Sequence, residues 1–549
     1  MTVTAVRQPS RAPAGNSPGD VLAGTGPLIR FVLRRDRIKL PAWLLGISVL
    51  LVQLTTAASG LMETEQQRED VRRFMEGAVG AVFGPGYGRD AISPDLYVAG
   101  VYGLVFFVLA ALMSIQLVAR HTRVDEQSGR AELLRAAVVG RYAQLTAALT
   151  VAAGANVLLA LMLGGVMAAK GYNGADGLLF GASVAAVGLV FAGITALTVQ
   201  VTEYSRAATG MAGAVLGAAW AVRAAGDMAD DYGSPLSWFS PLAWSNQTRP
   251  YVDGRWWPLL LSVALAAAAA AAGYALSSRR DVGAGLVAAR AGVPVAAAWL
   301  GSPLAAAFRL QRASLIWWTV ALAIFGFMFG GFADQITDTD GISEDRIEMF
   351  GGSVETLADG YLGVITLFTA SLAGIMVVLG VQAVRLEETK GRAEPLLATA
   401  TSRWAWFGSY LVVLSAGLVG LLLVVGLVAG AGAAVSVGDS AYIWDVTAAH
   451  LAHAPGVLVL LGLAALLFGV LPRVIGATWV VLGLGVFVGI FGPLMEVPQG
   501  LRNVLPTEHT GQPPLDSVSW PAMVILLVIA AGLMAAGLAA FRRRDLETK

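Results

Sequence analysis

The 549-residue sequence contains no cysteine and only four lysines (Lys39, Lys170, Lys390 and Lys549) against 33 arginines. Without cysteine there is no disulfide, thiolate nucleophile or Cys-ligated zinc or iron-sulfur site. The lysine scarcity fits GC-rich bacterial coding and carries no mechanism. Charge of both signs is sparse, at 13% of residues, about half the usual share in soluble domains. The two signs cancel, 37 against 37, so no nucleic-acid partner is expected. No Gly-Lys dipeptide occurs, which excludes the phosphate-cradling loop of a nucleotide-hydrolysing domain. The first 40 residues lack an apolar core of the kind that marks a secretory leader. Residues 1–27 are therefore expected to be a disordered cytoplasmic tail.

What is abundant is apolar surface: 56% of residues are hydrophobic and the mean hydropathy is +0.68. A chain of this kind is an all-α polytopic membrane protein. Apolar runs and their charged or Pro/Gly breaks place twelve spans, near 39–60, 97–119, 143–169, 178–200, 207–226, 258–278, 313–333, 361–384, 404–431, 450–471, 474–495 and 520–541. With a cytoplasmic N-terminus the inner segments hold 27 Lys and Arg and the outer loops 9. This imbalance puts both termini in the cytoplasm. Trp256, Trp257, Trp317, Trp318, Trp404, Trp406 and Trp520 fall at span ends, where amphipathic rings favour the interface.

The loop after the second span, Arg123 to Arg141, returns after the eighth as Arg385 to Arg403, with nine of nineteen positions identical. The matched pairs are Arg123/Arg385, Glu126/Glu388, Gly129/Gly391, Arg130/Arg392, Ala131/Ala393, Glu132/Glu394, Leu134/Leu396, Ala136/Ala398 and Arg141/Arg403. Pro27-Leu28 recurs as Pro303-Leu304, Trp257-Pro258 as Trp520-Pro521, and Arg279-Arg280-Asp281 as Arg543-Arg544-Asp545. The chain thus reads as two six-helix halves, 28–290 and 291–549. Because six is even, the halves share one orientation and are expected to be related by an axis along the membrane normal.

Each half carries an acidic outer segment after its first span. Glu63 to Met75 and Ser343 to Leu357 are expected to be helices outside the membrane. Ser240-Pro241 and Leu505-Pro506 read as breaks between a short half-helix and the final span.

An ion-coupled carrier keeps ionisable groups inside the membrane, and by these boundaries the spans are nearly free of them. Arg223, near an outer end, is expected to snorkel. An external engine fits better, and the repeated loop is where it would dock. Gly129 and Gly391 are placed to end the preceding helix as left-handed residues. Pro395 suits a first helical position. Short helices are expected from about Glu132 and Glu394, ending before Arg141 and Arg403, with Leu133, Leu134 and Val138, or Leu396 and Leu397, as apolar sides. Glu126, Arg130, Glu132 and their matched residues would set register through charge-assisted hydrogen bonds. Resting on anionic headgroups is the simpler alternative, but it does not require the same Glu-x-x-Gly-Arg-Ala-Glu order twice. His450 and His453 are three residues apart near Asp445, yet zinc needs a further close ligand. No metal site is expected.

The segment Glu387-Glu388-Thr389-Lys390-Gly391-Arg392-Ala393-Glu394-Pro395-Leu396-Leu397-Ala398-Thr399-Ala400-Thr401-Ser402-Arg403 resembles the loop between the second and third helices of ABC-2-type permeases. With the twelve-span layout, the chain is similar to the permease subunits of actinobacterial antibiotic and multidrug ABC exporters, the polyketide antibiotic exporter-like group. The resemblance implies an ABC-2 (type V exporter-like) fold, an amphipathic helix before each first span (about Leu28 to Lys39 and Leu304 to Leu315) and a coupling helix in each repeated loop. It also implies two copies of a separately encoded ABC ATPase, which would bind the ATP and Mg, so that this chain itself binds no cofactor. Ala137-Val138-Val139-Gly140 departs from the pattern, and Ala400 stands where Pro is common, so the two docking surfaces are expected to be unequal. A route poor in formal charge suits hydrophobic or amphipathic cargo, exported across a bacterial cell membrane. The rivals are a proton-coupled twelve-helix carrier and a membrane enzyme or non-transporting scaffold. The first would show mid-span charges and a G-x-x-x-D-R-x-G-R-R loop.

Overall fold

The computed structural model describes residues 20–60, 62–76, 84, 92–135, 139–230, 233–281, 283–287, 295–334, 356–491, 509, 511, 513–515 and 518–547. Among them there is no strand. The chain divides into two compact units, Met1–Gly292 and Val293–Lys549.

The first unit begins with α1 (Thr25–Arg35), an amphipathic helix that buries Leu28 and Val32. Leu28 packs with Ala143 and Ala147, and Val32 with Leu117 and Val151. Then follow α2 (Lys39–Gly60) and, in the outer segment, α3 (Glu65–Glu76). Val71 and Met75 of α3 are buried, which gives that charged helix its apolar side. The next span runs through Pro94–Tyr97 and one π turn, Val98–Tyr102, into α4 (Gly103–Arg120). Two short helices, α5 (Arg123–Gln127) and α6 (Arg130–Arg135), make the repeated loop. The unit closes with α7 (Ala143–Ala169), α8 (Gly174–Val201), α9 (Ser205–Ala229), α10 (Pro241–Asn246) and α11 (Pro258–Ser277).

α8 is apolar on every side and is the most buried of the long helices, as expected of a helix at the centre of a bundle. Its glycines admit neighbours: a Cβ on Gly181 would lie 2.2 Å from the Ala160 carbonyl, and one on Gly188 would run into the Asn156 amide. Asn156 in turn donates to Ser114 Oγ at 2.9 Å. Small residues let backbones approach where lipid gives no hydrophobic drive.

The second unit contains α12 (Pro303–Gly330), α13 (Leu357–Thr389), α14 (Ala393–Leu397), α15 (Arg403–Val437), α16 (Tyr442–Ala452), α17 (Ala454–Val470), α18 (Ala477–Phe491) and α19 (Trp520–Arg543). Gly330 and Gly432 bring α12 against α15, and Gly469 and Gly537 bring α17 against α19.

Ten helices among the described residues are long and apolar enough to cross a membrane, five in each unit, and the chain is an all-α multi-pass membrane protein. The other two expected spans, near 207–226 and 474–495, fall on α9, which carries Arg206, Arg223 and Asp227, and on α18, described over only fifteen residues.

Several expectations need correction. The amphipathic helix expected at 304–315 is not separate, because α12 runs unbroken from Pro303 into the span. In the first unit Pro41 cannot donate to the carbonyl four residues back, so a helix has to start just before it. The matched position in α12 is Trp317, which has its N–H. Arg223 does not snorkel: it is fully buried and its Nη1 lies 3.3 Å from Asp227. Asp227 also accepts from Ser237 Oγ at 2.7 Å, tying the end of α9 to the loop before α10. Ser240-Pro241, expected as the break after a half-helix, instead starts one: α10 is capped by Ser240 Oγ and buried over most of its length. The segment Ser343 to Leu357, apart from its last two residues, and Leu505 to Glu508 lie outside the described residues.

Candidate functional site

The repeated loop starts from the ends of the second span in each unit. Gly129 and Gly391 have φ of +72° and +68°, the left-handed conformation expected of them. In the second unit the stop is complete: Gly391 N–H donates to the Glu388 carbonyl at 2.9 Å and Arg392 N–H to that of Glu387 at 3.0 Å. These two bonds satisfy carbonyls that a helix end otherwise leaves bare. The short helices begin slightly earlier than expected, at Arg130 and Ala393, and residues 136–138 lie outside the described residues. Pro395 is the third residue of α14 rather than its first. It is still within the first turn, where its missing N–H costs nothing.

The candidate residues of the two loops separate into an inner and an outer set. Arg123 is fully buried. Its guanidinium donates to the Val199 carbonyl at the end of α8 (Nε, 2.9 Å; also Nη2), to the Ala284 carbonyl at 3.0 Å and to Glu126 at 2.7 Å. Glu126 receives both Nη groups of Arg280, at 2.8 and 2.9 Å, and Arg280 Nε reaches Gln200 at 2.6 Å. In the second unit Glu388 receives both Nη groups of Arg544, at 2.6 and 2.7 Å. It also accepts from the backbone N–H of Glu547 at 3.0 Å. The Arg544 guanidinium sits 5.0 Å from the ring centres of Phe468 and Phe541.

The matched arginines at the far end of each loop behave alike as well. Arg141 donates to the Ser278 carbonyl at 2.6 Å, and Arg403 to the carbonyls of Arg542 (3.3 Å) and Arg544. In each unit, then, a two-pronged Arg-Glu pair and a second arginine fasten the repeated loop to the exit of the last helix. Bidentate guanidinium-carboxylate pairs are the strong, directional kind. Arg385, matched to Arg123, is half-buried on α13. Beside the first clamp lies a polar cavity of about 460 Å3 bordered by Glu126, Arg141, Gln144, Gln200 and Arg280.

The outer set projects away from these clamps. Arg130 and Arg392 are more than half exposed, the former 3.7 Å from Asp125 and the latter 2.8 Å from Glu387. Glu132 and Glu394 are exposed, as are Leu133 at 77% and Leu396 at 44%. Leu134 lies on α6 beside them. Glu126 and Glu388 therefore correct one expectation: their carboxylates are occupied inside the chain, and the outward-facing side chains are those of Arg130, Glu132 and Leu133 and of Arg392, Glu394 and Leu396.

A network that the sequence did not suggest braces the first loop. Asp36, past α1, meets His121 Nε2 at 2.5 Å and Arg120 Nε at 3.1 Å. Arg35 donates to both oxygens of Asp125 at 2.6 and 2.8 Å. The partners stand 85 and 90 residues apart, so no local spacing announces them. His450 and His453 are both buried at the junction of α16 and α17. His450 Nδ1 lies 2.8 Å from the Val446 carbonyl and His453 Nε2 3.4 Å from Thr366 Oγ1. Among the described residues no three His, Asp or Glu side chains gather as metal ligands.

Two comparisons bear on this arrangement. The family described as "Multidrug efflux system permease Rv1217c, C-terminal domain" matches residues 26–276 and 300–542. The chain is also 36% identical to the multidrug efflux system permease protein Rv1217c of Mycobacterium tuberculosis (strain ATCC 25618 / H37Rv), over 97% of this chain and 98% of that protein.

Proposed function

The chain belongs to the multidrug efflux permease family, and on that premise we propose that it is the membrane subunit of an ATP-driven ABC exporter for hydrophobic or amphipathic compounds such as antibiotics. Two copies of a separately encoded ATPase bind ATP and Mg and hydrolyse the ATP. Both termini and both repeated loops face the cytoplasm of a bacterial cell, and twelve spans form two halves in parallel orientation. The observation that carries this reading is the split character of each loop. Its base is clamped to span ends through Glu126 and Arg280 or Glu388 and Arg544, while its tip offers an exposed leucine following an exposed arginine and an exposed glutamate. A rigid base with an exposed tip passes a push from a docked partner into the helices.

The test uses the tip and leaves the clamps intact. The chain carrying Leu133→Asp and Leu396→Asp is co-expressed with candidate ATPases and reconstituted in lipid vesicles. Co-purification of the ATPase and cargo-stimulated ATP hydrolysis are measured. Both should fall at least about tenfold, since losing one or two buried leucines at an interface costs more than about 1.4 kcal/mol. Unchanged coupling would remove the loops from the docking surface. Transport by the purified chain alone on a proton gradient would favour the proton-coupled rival.

A further inference from the structure

Three helix ends of the first unit, those of α2, α4 and α9, surround a groove of about 350 Å3 that the clamps do not use. Its rim carries three cations, Lys39 at the start of α2, Arg120 at the end of α4 and Arg206 at the start of α9. Its apolar lining includes Leu40, Trp43, Met113 and Leu117. Asp36 is the one acid among the described lining residues, and its carboxylate is already taken up by His121 and Arg120. Lys39 and Arg206 are exposed and form no ion pair among the described residues.

We propose that this groove holds one anionic phospholipid of the leaflet that the basic span ends face. The phosphate lies among Lys39, Arg120 and Arg206, and the glycerol and upper acyl chain cover Leu40, Trp43 and Leu117. Charge complementarity selects the occupant: Arg120 is shared with Asp36, while Lys39 and Arg206 have no acid of their own among the lining residues, and apolar side chains line the same groove. Basic pockets between helix ends on the positive side of a membrane recognise anionic headgroups in this way. Snorkelling explains a single basic side chain at a span end, but not three lining one concavity. The second unit lacks the pattern, because Leu315 stands at the position matched to Lys39 and Gln382 at that matched to Arg120. The site belongs to one half only.

The full chain is placed in nanodiscs of phosphatidylcholine with a minor fraction of phosphatidylglycerol, extracted into mild detergent and weighed by native mass spectrometry. Wild type should keep one phosphatidylglycerol. The Lys39→Gln/Arg206→Gln variant should keep it at least about tenfold less, from two lost charge contacts, and the Lys39→Arg/Arg206→Lys variant should retain it. Size-exclusion profiles of the variants should match wild type, since both side chains are exposed. Equal retention by the glutamine variant, or equal retention of phosphatidylcholine by wild type, would overturn the proposal. Displacement of the lipid by micromolar anilinonaphthalene sulfonate, a small anionic amphiphile, would assign the groove to cargo and overturn it too.

Discussion

Removing the Glu388 carboxylate would leave Arg544 held against Phe468 and Phe541 without its counter-charge. Breaking a buried pair from one side costs about 3–5 kcal/mol, because the other charge stays desolvated. Glu388→Ala should therefore sharply lower the unfolding midpoint of the detergent-solubilised protein, followed by tryptophan fluorescence, and Glu126→Ala should do the same through Arg280. Arg392→Ala, at an exposed position, should change stability by no more than about 0.5 kcal/mol. Equal effects of the two classes would contradict the inner and outer division of the loop. The loop residues themselves were legible, because each stands at the same offset in two copies. Their partners, Arg280 and Arg544, showed only as a recurring Arg-Arg-Asp, and the pairing itself was not legible, since Glu126 and Arg280 lie 154 residues apart and no periodicity links a loop to a distant helix exit. Arg223 was misread for a different reason: its position near a helix end pointed to water, whereas it is fully buried beside Asp227 one turn on, and Ser237 donates to that carboxylate.

Among the helices, contact distance is set by glycine. A Cβ at Gly469 would stand 2.2 Å from the Gly537 carbonyl, while Gly420 has open space. Gly469→Ala should force α17 and α19 apart at a cost of about 1–3 kcal/mol, seen as a loss of monodisperse protein on size exclusion. Gly420→Ala should be neutral or gain up to about 1 kcal/mol from helix propensity. The helices were readable from their apolar runs, as at Lys39–Gly60 and Ala143–Ala169. The unbroken course of α12 was not, because it depends on the absence of a proline at one position rather than on hydropathy. Trp317→Pro should restore a break there for roughly 3 kcal/mol, detectable as a new protease-sensitive site between Arg312 and Trp317.

For the whole chain, orientation can be tested without background, since there is no native cysteine to label. Glu132→Cys and Glu394→Cys should react with a membrane-impermeant maleimide only after the cells are opened, and Lys170→Cys and Asp439→Cys in intact cells. Reversal of the two sets would invert the proposed topology. The charge imbalance that predicts this pattern could be counted directly in the sequence. Each Arg-Glu clamp lies wholly within its own unit, and its arginine comes just after that unit's last helix. During synthesis, Glu126 waits through more than half of its unit's length until the ribosome delivers Arg280. The first half can then lock before most of the second has been translated, and quality-control proteases would meet an unlatched half only when its final helix has failed to insert.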